Sequence, residues 1–140
     1  MRQQRTIYFN DARHYYLFAF EPPMTLEDAW VPIDEVAGTG GDTFAYGGER
    51  GVMFGTDIQP FEQAAYWRPW HNMQSLIERG LDPLTVLIDR AHDKNMDFWA
   101  SLRMAGYGKM DPAHNLANGG GGLAHVEVRA HIMEVVRELA

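Results

Sequence analysis

The segment 82–104 constrains the fold of this chain more than any other part of the sequence. Four apolar residues in its first half recur at helical spacing, namely Leu84, Leu87, Ile88 and Ala91. The run 96–104 that follows is mostly apolar and carries Arg103 near its end, a pattern typical of a strand in a parallel sheet with a polar residue at its tip. The segment therefore predicts a helix, a short turn and a central buried strand.

Two earlier segments, 6–10 and 42–46, also have the composition of strands. Both are short, rich in aromatic and β-branched residues, and followed by residues that favour turns. Because strands alternate with helices along the chain, we expect a parallel sheet with packed helices. An eight-unit barrel needs about 250 residues, so we predict an α/β fold with a partial or shortened (β/α) barrel-like sheet.

Helices are predicted between and after these strands. Over 25–36, Thr25 fits an N-cap followed by acidic residues, and Pro32 should kink the helix. A second helix is predicted over 72–79, before a glycine that fits a helix end. The segment 124–140 places apolar and charged residues on different faces and predicts an amphipathic helix.

We expect a single α/β domain over residues 1–140. The segment 106–122 within it is poor in apolar residues and ends in four consecutive glycines, a composition typical of a flexible link. A partial parallel sheet has unpaired edges and an uncovered apolar face. We therefore expect the chain to form a homo-oligomer.

Charge and composition disfavour several classes of partner. A net charge of −7 argues against binding to nucleic acid or to an acidic membrane surface, and is compatible with a saccharide or another small polar ligand. The chain has no cysteine, and its glycine clusters match neither nucleotide-binding pattern, so we expect no cofactor. It shows no signal-peptide or transmembrane pattern, so we expect a soluble protein of unassigned localisation.

Two histidine arrangements bear on metal binding. Asp89 and His92 are three residues apart on one predicted helix face, and could serve a metal-dependent hydrolase. A histidine near the end of a helix is more often satisfied locally. His125 and His131 are six residues apart and do not share a helix face. We therefore predict no metal site and rank the hydrolase hypothesis third.

Candidate ligand-binding residues follow all three predicted strands. In parallel α/β folds ligands collect at the carboxyl ends of the strands. The residues expected to bind a saccharide, by hydrogen bonding or stacking, are Asn10, Arg50, Arg103, Tyr46 and Trp99. Glycoside hydrolysis requires two carboxylates, and Asp11 and Glu49 are the pair predicted to be catalytic. The alternative is that strand ends are polar only because they meet water.

Four segments together resemble the N-terminal half of glycoside-hydrolase-like (β/α)8-barrel proteins. They are Glu-Pro-Pro-Met-Thr at 21–25, Ala-Gly-Thr-Gly-Gly-Asp-Thr-Phe-Ala-Tyr-Gly at 37–47, Ala-His-Asp-Lys-Asn-Met-Asp-Phe-Trp-Ala-Ser-Leu-Arg at 91–103, and His-Val-Glu-Val-Arg-Ala-His at 125–131. In such proteins an Ala-His-x-x-Gly-Met helix end precedes the third barrel strand, and Asn95 stands here in place of the glycine. Their acidic catalytic pair lies on later strands. The resemblance implies carbohydrate-active ancestry without assigning catalysis to this chain.

Two function hypotheses of different classes remain. The first is a glycoside-hydrolase-like carbohydrate-active barrel, or a fragment of one, that binds saccharide with or without catalysis. The second is a noncatalytic, self-associating α/β scaffold or binding module.

Overall fold

The computed structural model describes residues 5–10, 18–47, 67–101, 111–114, 116–117 and 122–139. The chain divides into two compact units, Met1–Ser101 and Leu102–Ala140. Within the described ranges, no helix is long and apolar enough to cross a membrane.

Three parallel strands form the sheet of the first unit. They are β1 (Ile7–Asn10), β2 (Thr43–Tyr46) and β3 (Asp97–Ala100), in the order β1-β2-β3. The register places Phe44 of β2 opposite Tyr8 of β1 and Phe98 of β3. Parallel strands need crossover connections, which helices usually supply. The predicted α/β fold with a parallel sheet is therefore confirmed.

The prediction that the segment 96–104 forms the central buried strand is wrong. β2 is central, and all four of its residues are buried. In β3 only Phe98 is half-buried, and the other three residues are exposed. The physical reason is that β2 has a strand on each side, whereas β3 has one neighbour among the described strands. The apolar run correctly located a strand but not its place in the sheet.

Four helices occur in the described residues. They are α1 (Leu26–Asp34), α2 (Trp67–Glu78) and α3 (Pro83–Asp93) in the first unit, and α4 (Val126–Leu139) in the second. Thr25 caps α1 as predicted, because its Oγ1 accepts a hydrogen bond from the Asp28 N–H at 3.1 Å and the Asp28 carboxylate accepts one from the Thr25 N–H at 2.8 Å. Pro32 is buried within α1 and does not end it.

The other helix ends also follow from local chemistry. α2 begins at Trp67, earlier than predicted, and Pro69 lies in its first turn, where the N–H groups have no intrahelical partner to lose. Asp82 caps α3 by accepting hydrogen bonds from the N–H groups of Leu84 and Thr85. Asn95 follows α3 with a φ of 60°, a left-handed conformation that asparagine tolerates better than most residues.

The core of the first unit lies where the helices pack against one another and against the sheet. α1 contacts α3, and α3 contacts both α2 and β3. Their buried apolar side chains include Ala29, Ile33, Met73, Leu76, Leu84, Leu87 and Ala91. Burying a leucine or isoleucine side chain contributes about 1.5–3 kcal/mol to the free energy of unfolding. This apolar contact is the main source of stability for the helical layer.

One buried amide fixes the chain that precedes α1. Asn72 of α2 is fully buried, its Oδ1 accepts a hydrogen bond from the Met24 N–H at 3.0 Å, and its Nδ2 donates one to the Phe20 carbonyl at 2.8 Å. Arg79, the residue that follows α2, donates to the Met24 carbonyl at 2.9 Å. A helix-borne amide that satisfies two backbone groups gives this non-helical segment a defined position.

An ion pair joins the end of α1 to α3. Nε and Nη2 of Arg90 donate to the two carboxylate oxygens of Asp34, each at 2.8 Å. Lys94 Nζ lies 3.4 Å from the same carboxylate, and the Arg90 guanidinium lies 4.4 Å from the centre of the Trp30 ring. The hydrogen bond from Arg90 lowers the pKa of the Asp34 carboxyl, although partial burial opposes the shift.

Replacing Asp34 should change how stability depends on pH. Because folding lowers the pKa of this carboxyl below its usual 3.8, the charged form stabilises the folded chain above that pH and the contribution is lost as pH falls through the folded-state pKa. We expect Asp34→Asn to lower the Tm at neutral pH, and the difference from the wild type to shrink below pH 3.8. Thermal unfolding followed by circular dichroism over a pH series measures this.

Glu78→Gln is the matched control, because Glu78 is exposed at the end of α2. Its Tm should follow that of the wild type at every pH. A Tm difference for Asp34→Asn that stays constant from neutral to acid pH would contradict the charge-based explanation.

Candidate functional site

The carboxyl ends of the three strands meet at one edge of the sheet, because the strands are parallel. The register places Asn10, Tyr46 and Ala100 in one row at this edge. Neighbouring strands lie about 4.8 Å apart, so the row is about 10 Å long. Hydrogen bonds from the Gly47 N–H to the Asn10 carbonyl and from the Ser101 N–H to the Tyr46 carbonyl continue the ladder past the row.

The side chains of Asn10 and Tyr46 are largely buried at this edge and do not form an open surface. They are 8% and 4% exposed. The Tyr46 ring centre lies 6.4 Å from that of Phe44 and 6.3 Å from that of Phe98, so aromatic packing fixes its orientation. An amide and a phenol side by side contain both donors and acceptors of hydrogen bonds.

Trp99 lies on the opposite face of the sheet from Tyr46. It pairs with Ala45, whereas Tyr46 pairs with Ala100, and successive side chains of a strand point to opposite faces. Trp99 is 46% exposed, and Phe9 in the same row is 56% exposed. The structure therefore brings Asn10 and Tyr46 together and separates both from Trp99.

The other predicted site residues lie outside the described residues. They are Asp11, Glu49, Arg50 and Arg103. The predicted catalytic pair and the two predicted arginine contacts therefore remain predictions from the sequence.

A second group of functional side chains occurs in the second unit. His114, His125 and Glu127 each offer a metal-ligating atom, and these atoms all lie within 4.8 Å of one another. The comparison of His125 with His131 alone does not reveal this group, so the prediction of no metal site did not consider it. The available signal was a His-x-Glu pattern at 125–127 with a further histidine before the run of glycines.

Asp89 and His92 do not belong to such a group among the residues that the structure describes. Both side chains are exposed, close to the carboxyl end of α3. The hypothesis of a metal-dependent hydrolase built on this pair therefore receives no geometric support from the described part of the chain.

The chain was also compared with known proteins. It matches no model of a known protein family, and no curated protein is significantly similar to it. Its function is therefore argued from the site geometry, and the likeness of its motifs to glycoside-hydrolase-like barrels stays an expectation.

Proposed function

We propose that this chain is a carbohydrate-active domain of (β/α) barrel type that binds a saccharide at the carboxyl ends of its parallel strands. The observation that carries the proposal is the row in which Asn10 and Tyr46 are neighbours at that edge. Ligands of parallel α/β folds bind at this edge because the loops that follow the strands surround it. The strand order β1-β2-β3 supports the barrel, in which successive strands are neighbours.

A neutral polyhydroxylated ligand suits this edge better than an anion. The described part of the row holds an amide, a phenol and an alanine, and none of these carries a positive charge. The net charge of −7 would repel an anionic ligand at a distance. A saccharide needs no compensating charge, because its hydroxyl groups both donate and accept hydrogen bonds.

Removing the phenol hydroxyl should weaken saccharide binding while keeping the aromatic packing. We expect Tyr46→Phe to raise the Kd for neutral oligosaccharides by about fivefold, because one hydrogen bond contributes about 1 kcal/mol. Asn10→Ala should have an effect of similar size. Isothermal titration calorimetry with these oligosaccharides measures both.

Trp99→Ala is the control for this experiment, because Trp99 is exposed on the other face of the same sheet. It should leave the Kd unchanged. Equal weakening by Trp99→Ala, or no effect of either Tyr46→Phe or Asn10→Ala, would contradict binding at the proposed edge.

Catalysis by the domain would depend on the predicted carboxylate pair. If Asp11 and Glu49 act as acid–base and nucleophilic groups, Asp11→Asn and Glu49→Gln should each slow glycan hydrolysis by about 10²–10⁴-fold. Reducing-sugar release from neutral glycans measures the rate, and Glu78→Gln provides an exposed glutamate as control. Unchanged rates in both variants would contradict the catalytic assignment. They would not contradict saccharide binding, which the Kd measurements test separately.

A self-associating α/β scaffold is the second candidate function. It is favoured by the exposed apolar side chains on one face of the outer strands, among them Ile7, Phe9 and Trp99. Exposed apolar residues on strands at the edges of a sheet are typical of surfaces that pair with another chain.

A charge placed on this face should disrupt self-association. We expect the wild type to elute as an oligomer in size-exclusion chromatography with light scattering, and Trp99→Lys to shift it toward the monomer, because a buried lysine lacks a partner. Trp67→Lys is a closely matched control, since Trp67 is 48% exposed but lies on α2. A wild-type monomer in dilute solution would exclude the scaffold hypothesis.

A further inference from the structure

The second unit contains a cluster of side chains that the proposed saccharide site does not use. His114 closes a 3-10 turn at Pro112–His114, His125 directly precedes α4, and Glu127 lies in the first turn of that helix. Their ligating atoms lie within 4.8 Å of one another, although His114 precedes His125 by eleven positions in the sequence. The chain therefore folds back to bring two imidazoles and a carboxylate together.

The two imidazole rings are packed closely. Their centroids are 4.5 Å apart and their planes are inclined by 33°. Nδ1 of His114 is buried and has no hydrogen-bond partner among the described residues. A buried nitrogen of this kind is costly, and in native proteins it commonly marks a place where a water molecule or an ion binds.

Gly122 holds the two histidines at this distance. Its N–H donates to the His114 carbonyl at 2.8 Å, and its own carbonyl accepts from the His125 N–H at 3.0 Å. A Cβ atom on this residue would lie 3.0 Å both from the His114 carbonyl oxygen and from Cδ2 of His125. The backbone therefore positions the pair, and the absence of a side chain at Gly122 permits it.

The charges around the cluster favour a cation. Glu127 is exposed and forms no ion pair within the part of the chain that the structure describes. The neighbouring cation, Arg129, donates through Nη1 to the carbonyls of Leu123 and Ala124 at 2.7 and 2.8 Å. Because Arg129 is held by these carbonyls, it does not neutralise the Glu127 carboxylate through a direct contact.

We propose that His114, His125 and Glu127 bind one divalent transition-metal ion, and that zinc fits this ligand set best. Two imidazole nitrogens and one carboxylate oxygen form a ligand set that zinc adopts with a water or substrate in the fourth position. Magnesium and calcium prefer ligand sets made of oxygen alone. Ligands of a tetrahedral zinc ion lie about 3.3 Å apart, so the present spacing of up to 4.8 Å would have to shorten when the ion binds.

Calorimetry with zinc chloride tests the proposal on the full chain after treatment with a chelator. We expect the wild type to bind one zinc ion, and His114→Gln/His125→Gln to lose that binding. Glu127→Gln removes one ligand from an exposed position that should not affect folding, and should raise the Kd roughly tenfold or more. The matched controls are His92→Gln and Glu134→Gln, which change exposed residues outside the cluster and should bind zinc as the wild type does.

The visible absorption of bound cobalt reports the coordination geometry of the site. Co²⁺ added to the metal-free wild type should give the intense visible absorption of a tetrahedral site, and Glu127→Gln should reduce it. Circular dichroism of each variant shows whether it is folded, and zinc should raise the Tm of the wild type but not of the double variant. Absence of zinc binding by the wild type, or equal losses in His92→Gln and in the cluster variants, would overturn the proposal.

Discussion

The pairing of β2 with a parallel strand on each side is the constraint on which the first unit depends. Parallel neighbours cannot be joined by a hairpin, so the chain leaves the sheet at its carboxyl edge, crosses over through a helix and returns at the amino edge. α1 lies in the first crossover, and α2 and α3 lie in the second. The same pairing buries every residue of β2 and makes Asn10 and Tyr46 neighbours at one edge. The core and the candidate saccharide site therefore have a common geometric origin.

Polar contacts determine how the crossover helices are oriented on this sheet. Apolar burial supplies most of the stability but has no direction, whereas a hydrogen bond requires defined distances and angles. The amide of Asn72 binds the backbone before α1 and so links the two crossovers. Arg90 then fixes the carboxyl end of α1 to α3 through both oxygens of Asp34. Each contact joins residues far apart in sequence, and together they define one arrangement among the many that apolar packing alone would allow.

Local features of the fold could be predicted from the sequence, whereas features that depend on distant pairing could not. The caps at Thr25 and Asp82 follow from side chains within three residues of the groups that they bind. The central position of β2 depends on which strands flank it, and an apolar run contains no such information. The separation of Trp99 from Tyr46 has the same cause, because strand register decides which residues share a face. That the ends of β1 and β2 lie side by side needs no such information, because parallel strand direction alone brings the strand ends of Asn10 and Tyr46 to one edge.

The two candidate sites differ in what holds their residues together. At the strand ends, the ladder of backbone hydrogen bonds fixes the row of residues through main-chain groups. In the second unit, the spacing of His114 and His125 depends on Gly122, where any side chain would press against both histidines. A glycine that composition alone assigns to a flexible link thus has a specific structural role. A single substitution outside the three ligands should therefore disturb the cluster more than it would disturb the sheet edge. Gly122 is as much a determinant of the proposed metal site as the three side chains that would bind the ion.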